Sequence, residues 1–286
     1  MPTSLEPKGG SEPLGLIAGN GRFPFLAASG ARRAGRRVIA LAIREEAAPE
    51  LEREVDELHW ISLGQLGRAI EILHAAGAHE AQMAGQVKHR QIFSDVVPDL
   101  KLMGVLARLA FQNTDSLIGG VAEALGKEGI TLLPSVAFLG DQLAGVGAMT
   151  TRKPGREERR DIEYGEGVAR AIAGLDLGQT VVVKGRAAVA LEAMEGTDEV
   201  IRRAGHLAGP GTTVVKVSKP GQDMRFDVPV VGVATIEIMA EAGARVLALD
   251  AGRTLLIDKP DVLGRAEVAG IALWGMEPPD RPGDRA

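Results

Sequence analysis

The chain has 286 residues, 45% of them hydrophobic and 25% charged, with a formal net charge of −5. That is soluble composition with enough apolar mass for two cores, and its mild acidic excess gives no reason to expect nucleic acid as a partner. No cysteine is present, which excludes disulfides, thiolate zinc sites and a cysteine nucleophile and fits a cytoplasmic location.

The opening MPTSLEPKGGSEP has no charged-then-apolar leader, and residues 1–12 read as a loose tail. No apolar run approaches the ~20 residues of a membrane span. Leu14 to Ala18 (LGLIA) is a short buried strand that stops at Gly19-Asn20-Gly21; a helix over Phe23 to Ala34 and a strand over Arg37 to Ile43 complete a βαβ unit. A helix over Leu63 to Ala76 and a strand over His79 to Ala84 make a second round. Helices over Leu100 to Gln112 and Ser116 to Lys127 precede a strand at Ile130 to Leu133.

Residues 150–161 (TTRKPGREERRD) break the apolar pattern and read as a linker, with a helix from Glu157 to Ala173. Beyond it, Thr180 to Lys184, a Gly185-Arg186 turn and Ala187 to Ala193 predict a hairpin. Helices over Asp198 to Ala204 and Thr235 to Ala242 alternate with strands at Val214 to Ser218 and Asp223 to Val231. Strands at Arg245 to Asp250 and Thr254 to Ile257 read as a last hairpin through Ala251-Gly252-Arg253. The fold class is α/β: an N-terminal Rossmann-like parallel α/β domain over 13–149, then a C-terminal α+β domain over 150–277. Residues 278–286 read as a second loose tail.

The turn Gly19-Asn20-Gly21-Arg22-Phe23-Pro24 follows a first strand and opens a helix, where free backbone N–H groups and the helix dipole favour an anion. Pro24 suits a first helical turn. It also stands where a dinucleotide fingerprint has its third glycine, so the motif is incomplete. Gly19, Asn20, Gly21, Phe23 and Pro24 are candidate ligand contacts, against the alternative of a purely structural turn. Gln86, Lys88 and Arg90 follow the strand at His79 to Ala84 and could reach the same crevice or be merely solvated.

The segment KPGQDMRFDVPVVG, from Lys219 to Gly232, concentrates charge in a chain otherwise rich in Ala, Gly and Val. Read as a strand, it places Met224, Phe226, Val228 and Val230 on one face and Asp223, Arg225 and Asp227 on the other. At ~3.3 Å per residue the two aspartates would then lie about 13 Å apart, too far to share one ion unless the chain bends. One reading is a surface ladder in which Arg225 bridges two aspartates, worth little to stability. The other is a site for a phosphorylated substrate. A second acidic cluster, EAMEGTDE, weighs toward the site. There Thr197 is expected to cap a helix whose positive end Asp198 and Glu199 complement, while Glu195 lies outside it. Carboxylates from two segments near Lys184, Lys216, Lys219 and Arg225 suit a magnesium–diphosphate complex. The five histidines (His59, His74, His79, His89, His206) show no metal-ligand spacing.

GLIAGNGRFP, LEAMEGTDEVIRRAG and VVKVSKPGQDMRFDVPVVG together resemble the LpxI family, UDP-2,3-diacylglucosamine diphosphatases of lipid A biosynthesis, over about Leu14 to Trp274. The resemblance implies a two-domain, Mg2+-dependent enzyme that cleaves the diphosphate of a UDP-linked diacylated sugar lipid, giving UMP and 2,3-diacylglucosamine 1-phosphate. It marks Asp223 as the main catalytic residue. Arg225 and Asp227 join it as catalytic candidates; Lys184, Thr197, Lys216, Lys219 and Gln222 are added to the substrate contacts, and Asp223, Glu195 and Asp198 form the candidate metal set. The acyl chains would need an apolar groove, to which Phe93, Leu102, Met103 and Leu106 could contribute, although ordinary core is the stronger reading of those four. Peripheral contact with the inner membrane and a homodimer are further expectations. The rivals are a nucleotide-sugar or dinucleotide enzyme built on the glycine turn, and a non-catalytic lipid- or nucleotide-binding module.

Overall fold

The computed structural model describes residues 12–44, 46–87, 97–107 and 114–277. The expected tails apart from Glu12, the Lys88, His89, Arg90 and Phe93 assignments, and the end of the helix expected to reach Gln112 all lie outside the described residues. The chain forms two compact units. Unit 1 is Met1–Leu139 together with Asp223–Asp227; unit 2 is Gly140–Gln222 and Val228–Ala286.

Unit 1 is built on five parallel strands: β1 (Leu14–Ala18), β2 (Val38–Ile43), β3 (Glu57–Ile61), β4 (Glu80–Ala84) and β5 (Thr131–Leu132), in the order β3-β2-β1-β4-β5. Its helices are α1 (Phe23–Arg33), α2 (Leu66–Ala75), α3 (Leu100–Leu106) and α4 (Thr114–Lys127). The two-residue period divides the strands between two cores. Leu14, Leu16, Val38 and Ala40 pack with Ala27, Ala28 and Ala31 of α1, whereas Ile39, Leu41 and Ala81 pack with Leu73 of α2 and Leu125 of α4. Asp99 caps α3 by accepting the Leu102 N–H at 2.9 Å. The strand order reverses between β1 and β4, the place where open parallel sheets bind ligands at their carboxyl ends.

Unit 2 holds a six-stranded mixed sheet in the order β6-β13-β11-β9-β7-β8. Its strands are β6 (Gly147–Ala148), β7 (Thr180–Lys184), β8 (Ala187–Leu191), β9 (Thr213–Lys216), β11 (Val246–Asp250) and β13 (Ala272–Met276). The hairpin β7–β8 is antiparallel as expected, and β9, β11 and β13 form a parallel centre. The long helix α5 (Arg156–Gly174) covers one face, and Gly165 permits the approach: a Cβ there would lie 2.7 Å from Val215 Cγ2. Helices α6 (Thr197–Ala208), α7 (Val233–Glu241) and α8 (Lys259–Ala269) accompany the other face, where Ile201, Ile236, Met239 and Val262 join Val214, Leu247 and Leu273 in one core. Among the described residues no helix is long and apolar enough to cross a membrane.

Two expectations fail. The strand expected over Asp223 to Val231 is a turn at Asp223–Asp227, and only Val230–Val231 (β10) is extended. The expected second hairpin does not form either: Leu255–Leu256 (β12) pairs in parallel with β10 in a separate two-stranded sheet, while β11 lies between β9 and β13. The Ala251–Arg253 turn satisfies its first two amides on distant segments and not across a hairpin: Ala251 N–H donates to Met276 and Gly252 N–H to Ala144, while Arg253 N–H turns back to Asp250.

Candidate active site

The local chemistry of Asp223 explains the failed strand. Its side chain accepts the Arg225 N–H at 3.1 Å, and its carbonyl accepts the Phe226 and Asp227 N–H groups at 3.2 and 2.9 Å. An aspartate that hydrogen-bonds the backbone two residues on offers the chain an alternative to a sheet ladder. The period of two in MRFDVPV is therefore coincidental. Asp223 and Asp227 are one backbone hydrogen bond apart, not the length of a strand.

Unit 1 supplies the seat for this turn. Ser135, just past β5, donates its N–H to the Met224 carbonyl and its hydroxyl to the Arg225 carbonyl, both at 2.7 Å. Gln82 of β4 in turn donates to the Ser135 carbonyl. Phe226 packs against the core beneath α2 and α4. The charged turn is thus fixed at the carboxyl edge of the parallel sheet. The Arg225 guanidinium grips the Asp223 carboxylate, with Nε at 2.9 and 3.1 Å from its two oxygens and Nη2 at 2.5 Å from Oδ2. This pairing holds the Asp223 carboxyl below its ordinary range, against a smaller opposing effect of burial, and raises Arg225 in return.

The glycine turn lies at the same edge. Asn20 and Gln86 form an antiparallel bridge, with N–H···O distances of 2.7 and 3.2 Å. A Cβ on Gly19 would fall 2.5 Å from the Gln86 carbonyl oxygen, and Gly21 has φ +91°. The Gly19 and Asn20 N–H groups are committed to Ala84 and Gln86. Asn20 also donates a side-chain hydrogen bond to Glu46 at 3.3 Å. Phe23 is half-buried in the α1 core, and Pro24 is buried in the first helical turn. The turn has a structural task, and any anion it held would meet N–H groups beyond Asn20.

In unit 2 a second polar group collects at the carboxyl end of β9. Lys216 is 4% exposed, and its Nζ donates to the Thr197 hydroxyl at 2.7 Å. Thr197 donates onward to Glu192 at 2.9 Å, and Glu192 also accepts the Gln179 N–H at 3.1 Å. Thr197 therefore does not cap α6; Gly196 occupies the N-cap position, and no side chain caps it. Lys219 donates from its N–H to Gln222 at 2.8 Å and from its Nζ to Asp176 at 2.6 Å. Ser218 Oγ and Gln222 Nε2 are buried without a hydrogen-bond partner among the described residues.

The remaining sequence candidates have other engagements. Lys184 donates to the Ala208 and Pro210 carbonyls at 2.6 and 2.9 Å, closing the C-terminus of α6. It lies at the edge of the sheet opposite Lys216, because β7 runs antiparallel to β9. Glu195 accepts Arg203 at 2.6 Å and the Ala193 N–H at 3.0 Å, and Asp198 accepts the Thr235 hydroxyl at 3.0 Å. Among the described residues no group of three or more His, Asp or Glu side chains could by itself hold a metal ion. Hard oxygen donors are nonetheless present: two carboxylates one turn apart, which suit a cation that takes its other ligands from substrate phosphates and water. Ser135 and Glu192 escaped the sequence reading. The signal for Ser135 was a Pro-Ser pair closing a strand; Glu192 lay in plain view inside EAMEGTDE.

Comparison with known proteins decides the family. Residues 13–142 match the LpxI N-terminal domain and residues 145–274 the LpxI C-terminal domain. The chain belongs to the LpxI family. It is 34% identical over 280 residues to a protein of Caulobacter vibrioides named UDP-2,3-diacylglucosamine pyrophosphatase LpxI, covering 94% of this chain and 99% of that one. The LpxI match spans both units, including the charged turn.

Proposed function

We propose that the chain hydrolyses the diphosphate of UDP-2,3-diacylglucosamine to UMP and 2,3-diacylglucosamine 1-phosphate, with the Asp223–Asp227 turn as its catalytic element. The observation that carries this reading is the Asp223–Arg225 pair, fixed by Ser135 at the carboxyl edge of a parallel sheet, in a chain similar over nearly its whole length to a named pyrophosphatase.

The reaction adds water across a phosphoric anhydride. The water oxygen bonds one phosphorus, the bridging oxygen leaves on the other, and the water's protons are shared between solvent and the products. Asp223, held ionised by Arg225, is a weak base, so its role is to fix charge and orient water rather than to strip a proton. Arg225 keeps N–H donors beyond those spent on Asp223 and offers them to phosphoryl oxygens as charge develops. Within unit 2, Lys216 and Lys219 are candidate phosphate donors, and Ser218 Oγ and Gln222 Nε2, without a partner among the described residues, are groups that a phosphate oxygen or ordered water would satisfy.

Magnesium is part of the proposal. Bound with the diphosphate, it would neutralise phosphate charge and lower the pKa of a coordinated water, with Asp223 and Asp227 as protein oxygen donors. Glu195 and Asp198, tied to Arg203 and Thr235, are the weaker ligand candidates. The exposed Val97, Leu100 and Met103 give unit 1 an apolar strip consistent with peripheral contact at the membrane that carries a diacylated substrate.

The test is direct: incubate the protein with UDP-2,3-diacylglucosamine and Mg2+, with and without EDTA, and identify the products. Formation of UMP and the sugar 1-phosphate, abolished by EDTA, is expected. Tight binding without turnover would favour the non-catalytic module.

A further inference from the structure

The Arg170–Asp250 pair of unit 2 touches the segment that carries Lys216 and Lys219. Asp250 ends β11 and is 0% exposed. Arg170, on α5, reaches it with two parallel hydrogen bonds of 2.6 Å, and Glu166 one turn earlier accepts from the same guanidinium at 2.9 Å. Burial opposes the Arg170 charge, but Asp250 and then Glu166 outweigh it and hold the guanidinium above its usual range. The Asp250 carboxylate has one more partner: the Ser218 N–H, at 2.7 Å.

A buried ion pair is weak support for stability, because desolvation cancels much of the attraction. The surrounding face is valine and alanine, including Val215, Val217, Val246 and Ala248, and an apolar pair would pack there. What the carboxylate adds is an acceptor where β9 has just ended. Val217 N–H is still bonded to Gln179, Ser218 N–H goes to Asp250, and Lys219 N–H goes to Gln222. Three successive amides are thus fixed through the stretch that joins the two lysines.

We infer that Arg170 and Asp250 are positioning residues that hold Ser218, and so set where Lys216 and Lys219 present their ammonium groups to a diphosphate. This rests on the function proposed above. Glu166 keeps the Arg170 fork aimed, and neither member of the pair touches the substrate.

The experiment uses the full chain. Arg170→Lys keeps the charge but cannot form the two-pronged contact. Amide exchange at Ser218 and Lys219 is expected to quicken about tenfold while the centre of the sheet stays protected. KM for UDP-2,3-diacylglucosamine should rise about fivefold or more with kcat within about twofold, the pattern of lost ground-state contacts. Arg170→Met combined with Asp250→Leu removes both charges together and should show a larger KM rise in a folded protein. Unchanged KM in Arg170→Lys, or in the folded double variant, overturns the inference even if exchange quickens, since the pair would then serve the fold alone. If the double variant fails to fold, Arg170→Lys decides. A wild type without turnover overturns the functional reading and this inference with it, whereas an active wild type with an unaffected variant overturns only the inference.

Discussion

Arg225 closes its guanidinium over the carboxylate of Asp223 from within the same turn, through Nε contacts of 2.9 and 3.1 Å and an Nη2 contact of 2.5 Å. The two side chains are about one-third exposed, at 33% for Asp223 and 37% for Arg225. The pair can therefore meet a ligand without unfolding its surroundings. Replacing Arg225 by Lys keeps the charge and loses the fork, so kcat should fall on the order of 10- to 100-fold. Steady-state kinetics, with a melting curve to confirm folding, check this.

The pH profile follows from the same pair. Asp223 is held below its ordinary value of 3.8 chiefly by the Arg225 hydrogen bond. A depressed carboxylate is fully ionised above its unfolded value and loses its contribution only as pH falls through the lower folded value. Asp223 should then set no acid limb in kcat/KM from about pH 4 upward. In Arg225→Gln the carboxyl returns toward its ordinary range, and an acid limb should move up into view. An Asp223-dependent limb near neutrality in the wild type would contradict this assignment.

Gly19 and Gly21 differ in why they are glycine. A Cβ at Gly19 would press on the Gln86 backbone at 2.5 Å, whereas Gly21 has open space around it but φ +91°. Gly19→Ala should cost about 2–3 kcal/mol through overpacking, and Gly21→Ala about 1–2 kcal/mol through backbone conformation. Denaturant midpoints at constant m-value would separate them; a larger loss at Gly21 would refute the steric account of Gly19.

Phe226 ties the charged turn to the core of unit 1. It is half-buried, so Phe226→Ala should cost about 1–3 kcal/mol, below the loss for a fully buried ring. Amide exchange at 224–227 should quicken and kcat should fall, with the Asp223 carboxyl chemically intact. Loss of stability with full activity would detach the seat from catalysis.

Much of the fold could be read directly, because LGLIA, RVIALAI and TVVVK are continuous apolar runs punctuated by glycine turns. β3 was missed for a physical reason: Glu57–Ile61 is an edge strand, half-buried along most of its length, and its mixed sequence has no clean period. α8 and β13 were also missed, although Pro260 marks a helix start. The last hairpin was misread because the partners of β11 and β12 lie far away in sequence. At the candidate site, KPGQDMRFD stands out by its charge, but its backbone is a turn and not the expected strand, since binary pattern cannot register that Asp223 will bond its own chain. Arg170 and Asp250 are joined by hydrogen bonds between segments 80 residues apart, which no local pattern encodes.

The catalytic role of the charged turn is tested by UMP release from UDP-2,3-diacylglucosamine with Mg2+, comparing the wild type with Asp223→Asn. The expected result is a folded variant that still binds substrate while kcat drops by about 100-fold or more. A variant that releases UMP at the wild-type rate would show that the charged turn is not the catalytic element.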